Sequence, residues 1–250
     1  MVILDKTVNK IVTWLQQQVK NANVNGLVVG LSGGLDSAVV SYLIQRAFPD
    51  DSLAVIMPLR SNPKDIKHAE AVVQGSAIRS LTVDLTESHD VLYPTIREQL
   101  DIKKELVEET NRLADANLRA RLRMSTLYTI ATNYNYLVVG TDNASEWYTG
   151  YFTKYGDGGV DLLPIVDFTK GEVREMARFL GVPNEIIEKN PSADLWEGQT
   201  DEEEMGTTYD KIDAYLKGEN IPEKDRDIIE RMHQRTAHKR AIAKQFILSN

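Results

Sequence analysis

The sequence predicts an α/β fold with a doubly wound, mainly parallel sheet, helices on both faces and further helices toward the C-terminal end. Three observations carry this. Residues 27–31, 53–57 and 137–139 are short, nearly continuous apolar runs, the pattern of strands buried on both faces. Segments of helical length separate them, and the first run passes into a helix through two adjacent glycines, Gly33 and Gly34.

Each element has its own signal. Val8, Ile11, Val12, Leu15 and Val19 recur at spacings of three and four, one face of an opening helix. Helical segments follow at 36–47 and 63–77, and residues 80–85 form a weaker fourth strand. The stretch from about 86 to 133 has room for two helices. Thr169 and Glu172 have capping-box spacing ahead of an apolar helix over 173–180, which Gly181 and Pro183 close. Residues 149–161 and 192–204 read as loops, the second acidic. The last fifty residues are helical in pattern. Without repeats or an obvious linker, residues 1–250 read as one domain.

Composition narrows the function classes. With 250 residues, 42% hydrophobic, the chain has ample material for a core. It has no cysteine, which excludes disulfides, thiolate metal sites and a cysteine nucleophile and points to the cytoplasm. No apolar run reaches the ~20 residues of a membrane span, and the opening MVILDKTVNK lacks the features of a signal peptide. A formal charge of −8 disfavours a dedicated nucleic-acid binder.

The chemistry starts at the glycines. Gly30-Leu31-Ser32-Gly33-Gly34-Leu35-Asp36-Ser37 joins a strand to a helix N-terminus, where a tight turn brings N–H groups and the positive end of the helix to an oxygen anion. It matches neither GxxxxGK[ST] nor GxGxxG. Asp36 is informative, because a carboxylate beside a bound phosphate needs a cation between them, and Mg²⁺ binds through carboxylates and substrate phosphates. The plainer reading is Ser32 as a cap and Asp36 as a first-turn acid. The fourth strand leads into Gly140-Thr141-Asp142-Asn143-Ala144-Ser145-Glu146. If strands one and four are neighbours, Glu146 faces Asp36 across the crevice where the winding reverses.

The SGGLDS string resembles the pyrophosphate loop of the N-type ATP pyrophosphatases, which adenylate an oxygen of their substrate. GTDNASE, the string TGYFTKYGDGG at 149–159, PSADL at 191–195 and His238-Lys239-Arg240 together resemble ammonia-dependent NAD synthetase, from about residue 25 onward. The resemblance implies an adenine nucleotide alpha hydrolase-like fold, no glutaminase domain, and conversion of nicotinic acid adenine dinucleotide (deamido-NAD), ATP and ammonia to NAD, AMP and pyrophosphate through an adenylate. It implies ATP contacts from Gly30, Leu31, Ser32, Gly33, Gly34, Leu35, Asp36, Ser37, Thr141, Lys170 and Ser192. Asp36 and Glu146 would hold Mg²⁺. Arg121, Lys154, Asp161, His238 and Lys239 would contact deamido-NAD. Lys170 would offset charge at the α-phosphate, and Asp157 would take a proton from ammonium, although Gly-Asp-Gly also suits a solvent-facing turn. The family is typically homodimeric, with no membrane or nucleic-acid partner. Asn143 stands where it often has histidine, and Ser192 where it often has threonine. Two rivals remain, an adenylating enzyme acting on a tRNA base and a non-catalytic nucleotide-binding module.

Overall fold

Strand order differs from chain order, and that difference makes the site. A computed structural model describes residues 2–189 and 200–246. Helix α1 (Val2–Ala22) is followed by β1 (Gly26–Gly30), α2 (Leu35–Ala47), β2 (Ser52–Ile56), α3 (Pro63–Ser76), β3 (Arg79–Thr82), α4 (Thr86–Ile102), α5 (Glu108–Tyr134) and β4 (Tyr136–Val139). Beyond the sheet lie α6 (Ala144–Thr149), α7 (Lys170–Leu180), α8 (Asn184–Ile187), α9 (Asp201–Met205), α10 (Tyr209–Leu216), α11 (Glu223–Arg235) and a 3₁₀ turn over Ala237–Lys239. Among the described residues the sheet runs β3-β2-β1-β4, with every pair parallel. The chain winds outward from β1 through β2 to β3 and then returns to the other side of β1. A crevice therefore opens at the carboxyl ends of β1 and β4, where ligands bind in sheets of this kind.

The apolar runs alternate between two cores. Leu27, Val29, Ala54, Ile56 and Val139 pack against the apolar faces of α1, α2, α3 and α7. Val28, Leu53, Val55, Tyr136 and Val138 face Leu127 and Ala131 of α5. Covering both faces explains why these strands read as continuous apolar runs rather than alternating ones. The edge strand β3 is exposed along its length, which is why its sequence signal is weaker. Met205, Tyr209, Ile212 and Ile229 form a third, smaller cluster that joins α9, α10 and α11.

The helix start at Thr169 carries the expected capping box, with Thr169 and Glu172 bonding reciprocally. Gly181 closes α7 with φ +83°. The segment 86–133 splits into α4 and α5, and residues 149–161 form turns. Of the acidic stretch at 192–204, residues 192–199, with Ser192, lie outside the described residues; 201–205 are the helix α9 rather than loop.

Candidate active site

The loop after β1 is shaped by its glycine and its two serines. Gly33 sits at φ +81°, and a Cβ there would lie 2.3 Å from the Asp65 carbonyl oxygen, so both conformation and space demand glycine. Ser37 Oγ donates to the Gly34 carbonyl at 3.0 Å and accepts from Ser32 N at 3.3 Å, while Ser32 Oγ accepts from Gly34 N at 3.2 Å. Ser32 is therefore a strut within the loop and does not cap α2. The N-cap is Gly34, which has no side chain to offer. This leaves the first N–H groups of α2 directed at the crevice, the arrangement that receives a phosphate.

Asp36 and Glu146 meet through a lysine. Lys170, the first residue of α7 and only 4% exposed, donates from Nζ to Asp36 Oδ2 at 2.5 Å and to Glu146 Oε1 at 3.1 Å. Burial alone would push the Lys170 ammonium down, but the two carboxylates outweigh it and hold its pKa above the ordinary value. Burial pushes the Glu146 carboxyl up to about 7, against the lowering effect of Lys170 and with Asp36 adding to the rise. A lone lysine in the first turn of a helix opposes the dipole. Here that cost is met by two carboxylates from two other loops.

The carboxylates are held in turn by groups that sequence reasoning missed. Asn143 is fully buried; its Nδ2 donates to Asp36 Oδ1 at 2.9 Å, and its Oδ1 accepts from Ser145 N and Glu146 N as the N-cap of α6. Glu146 Oε2 returns the bond to Asn143 N. The residue that departs from the family pattern thus fixes both acids. The Tyr209 hydroxyl lies 3.1 Å from Glu146 Oε1 and 3.0 Å from Asp201 Oδ2, and its single proton serves one of the two acids at a time. Burial, then Glu146, holds the phenol well above its ordinary range, so it stays a donor. Asp213 of α10 accepts from Ser145 Oγ, Lys170 N and Gly171 N. No sequence signal links residues 209 and 213 to position 146, because the link is tertiary. Asn143 was readable as an N-cap beside Glu146.

One cavity of about 410 Å³ runs over these groups and is lined by Gly30, Leu31, Ser32, Leu35, Asp36, Ser37, Thr141, Asp142, Glu146, Asp157, Lys170 and Lys239, among others. The structure thus gathers most of the expected ATP and metal residues with Asp157 and Lys239. Gly33 and Gly34 shape the loop without lining the cavity. Arg121 is exposed and donates to the Lys154 carbonyl at 3.4 and 3.3 Å. Lys154 Nζ bonds the carbonyls of His238 and Ala241, and His238 is exposed. These three gather beside the cavity and do not line it. Asp161 accepts from Tyr128 Oη at 2.9 Å and Val138 N at 2.8 Å. Two arginines do line the cavity, Arg123 and Arg174; Arg123 Nε donates to the Met57 carbonyl at 3.2 Å, and burial lowers its pKa.

Among the described residues no three His, Cys, Asp or Glu side chains gather as a ready-made metal cage. Asp36 and Glu146 nevertheless fit a hard divalent cation. They are oxygen donors from facing loops that already share one cationic atom, Lys170 Nζ, and the phosphates of a bound nucleotide would complete the ligand set.

A parallel sheet with a glycine loop at its switch point, and two acids meeting over that loop, defines the adenine nucleotide alpha hydrolase-like class of ATP-using proteins. Within it, residues 7–243 match the family model described as NAD synthase. The NH(3)-dependent NAD(+) synthetase of Alkaliphilus oremlandii is 55% identical over 96% of each chain. Among solved structures, the NMN synthetase of Francisella tularensis is 37% identical over 98% of this chain and 99% of its own, with a TM-score of 0.89. The NH3-dependent NAD synthetase of Campylobacter jejuni is 26% identical over the same shares, with a TM-score of 0.77. The chain belongs to the NAD synthase family.

Proposed function

We infer that this chain forms NAD from deamido-NAD, ATP and ammonia through an adenylate, releasing AMP and pyrophosphate. One observation carries the reading within the family: Lys170 is clamped between Asp36 and Glu146 beneath a phosphate-receiving loop, with Asp157 in the same cavity. A nicotinate carboxylate attacking the α-phosphate brings anion to anion. The α2 N-terminus and the Lys170 ammonium offset that charge and hold the reactants in line. When bound by Asp36 and Glu146, Mg²⁺ would add Lewis-acid stabilisation of the phosphates. Residues 30–37, Thr141, Lys170 and Ser192 are assigned to ATP.

Arg121, Lys154, Asp161, His238 and Lys239 are assigned to deamido-NAD. Only Lys239 of the five lines the cavity, which fits a dinucleotide site completed by a second copy of the chain. We assign the enzyme to the cytoplasm as a homodimer, one domain per chain, with free ammonia as donor. The absence of cysteine supports the location, and no described helix is long and apolar enough to cross a membrane.

A second reading is favoured by the name of the Francisella relative, NMN synthetase. It keeps the same amide chemistry on a mononucleotide. Product chromatography decides: the protein is incubated with ATP, Mg²⁺, ammonium and either nicotinic acid adenine dinucleotide or nicotinic acid mononucleotide. NAD, AMP and pyrophosphate in equal amounts from the dinucleotide, lost in Asp36→Ala, is the expected result. Turnover of the mononucleotide alone would move the assignment to NMN, and none with either would remove it.

A further inference from the structure

Asp142 is the one acid of GTDNASE to which neither the resemblance nor the phosphate chemistry gives a task. It follows Thr141 at the carboxyl end of β4, is 4% exposed and lines the active-site cavity. Its Oδ2 is buried without any hydrogen-bond partner among the described residues. Leaving a buried carboxylate oxygen without a donor is destabilising, so a group left that way in the free protein is set to receive something. Its electrostatic neighbours, in order, are Asp157, Glu146 and Asp36, with Lys170 opposing them. That field calls for a cation.

Two of the cations that line the cavity are already engaged. Lys170 Nζ lies between Asp36 and Glu146, and Lys239 Nζ donates to the carbonyls of Gly150 and Phe152 at 2.8 and 2.6 Å. The strongest acidic neighbour, Asp157, stands on the Gly-Asp-Gly turn, with Oδ1 accepting from Thr153 N at 3.0 Å. Two carboxylates therefore line the cavity, one on the β4 loop and one on the turn, together with the phosphate loop and Lys239.

We propose that Asp142 is the second, buried carboxylate of the ammonium site, beside the Asp157 to which the resemblance already gives the ammonium proton. The proposal rests on the amide-forming reaction inferred above. The proton count of that reaction supports a pair. Ammonium gives one proton to a carboxylate, and the freed nitrogen lone pair attacks the acyl carbon of the adenylate while the C=O π pair moves onto oxygen. The resulting tetrahedral intermediate carries a second excess proton on nitrogen, which passes to the other carboxylate. Collapse breaks the acyl C–O bond, and AMP leaves with the electron pair. Ammonium and adenylate thus give amide, AMP and two protons, and each proton has its own carboxylate. Burial and the neighbouring acids raise the affinity of Asp142 for a proton, and Asp157, although open to solvent on its cavity side, is shifted in the same direction.

The test is Asp142→Asn, nearly isosteric and neutral, compared with the unaltered protein at one pH in two assays. Adenylation is read as pyrophosphate released in a single turnover without ammonium, and amide formation as NAD at varied ammonium. The expected result is a rise of at least tenfold in the KM for ammonium, with amide formation impaired at least tenfold more than adenylation. Hydroxylamine, uncharged at neutral pH, should restore most of the lost rate, since a neutral nucleophile does not need the seat. An unchanged ammonium KM overturns the proposal, as does equal loss of adenylation and amide formation, or equal loss with both nucleophiles. Unaltered protein that makes adenylate but no amide overturns the reaction itself, and the seat with it. Because the change keeps the size of a buried side chain whose Oδ2 has no hydrogen-bond partner among the described residues, the urea midpoint should be unchanged or higher; Asp157→Asn, probing the exposed half, should show the same ammonium-selective loss.

Discussion

Glu146 is the residue on which the electrostatics of the site turn. Its carboxyl, pushed up to about 7 mainly by burial, loses its proton across neutrality. The folded chain keeps that proton where the unfolded chain, at the ordinary 4.5, has released it. Glu146 therefore contributes stability below about pH 4.5 and loses it as pH rises toward 7. For ligand binding the sign is opposite, since a metal needs the ionised oxygen and must compete with the proton. Mn²⁺ affinity in the presence of ATP, followed by electron paramagnetic resonance, should rise with pH by up to about tenfold per unit below pH 7 and then level off. Glu146→Gln should bind Mn²⁺ at least tenfold more weakly, with a flatter profile. The ATP phosphates titrate alike in both proteins, so the difference isolates Glu146; parallel profiles would remove it from the metal site. Asp36 and Glu146 were legible because two glycines and a strand end announce what sits beside them. The tertiary contacts of Asn143, beyond its readable N-cap position, and of Tyr209 were not, because they come from what packs against these residues: Nδ2 of Asn143 on Asp36 and the Tyr209 hydroxyl on Glu146 span 107 and 63 residues of sequence.

At the scale of elements, the site is a meeting of helix starts. The N-termini of α2 and α7, and that of the short α6, converge on the crevice, and α10 ties two of them together through Asp213. This carboxylate accepts from Ser145 Oγ at 2.6 Å, Lys170 N at 3.2 Å and Gly171 N at 2.8 Å. It complements the N-terminus of α7 and fixes the backbone from which Lys170 reaches the two acids. Asp213→Ala leaves three buried donors unpaired and should lower stability by about 2–3 kcal/mol, whereas Ser145→Ala, which removes one of the three bonds, should cost about 1 kcal/mol. Urea denaturation at constant m separates the two, and equal midpoints would mean that Asp213 is not an anchor. The strands and the capping box of α7 were legible because their signals are local. The junction of α4 with α5 lacks glycine and proline between 95 and 107, and that is why room for two helices was legible there and their boundary was not.

On the scale of the whole molecule, one surface does not suit an isolated chain. Leu92, Ile96 and Leu100 recur every fourth residue along α4 and are exposed, as are Val91, Ile102, Val107 and Leu113 nearby. An apolar stripe of this extent on a helical hairpin marks an interface. Arg121, on the same hairpin's second helix, stands with Lys154 and His238 outside the cavity, where a dinucleotide held by one chain alone would leave them unused. A second copy seated on the α4–α5 hairpin accounts for both observations, by covering the stripe and walling the dinucleotide site. Sedimentation should therefore give twice the chain mass of 28.2 kDa. Ile96→Lys places a charge in the middle of the stripe and should yield single chains. The residue is exposed within one chain, so monomer stability should move by no more than about 0.5 kcal/mol. In that variant the KM for deamido-NAD should rise at least tenfold while ATP affinity, which depends on the crevice between β1 and β4, is retained. A monomeric variant with full activity toward deamido-NAD would show that one chain completes the site. Unaltered protein sedimenting as a single chain would assign the stripe to a different occupant. A second copy was an expectation of the resemblance alone, because α4 reads as an ordinary amphipathic helix, and only its position in the fold shows that Leu92, Ile96 and Leu100 are exposed.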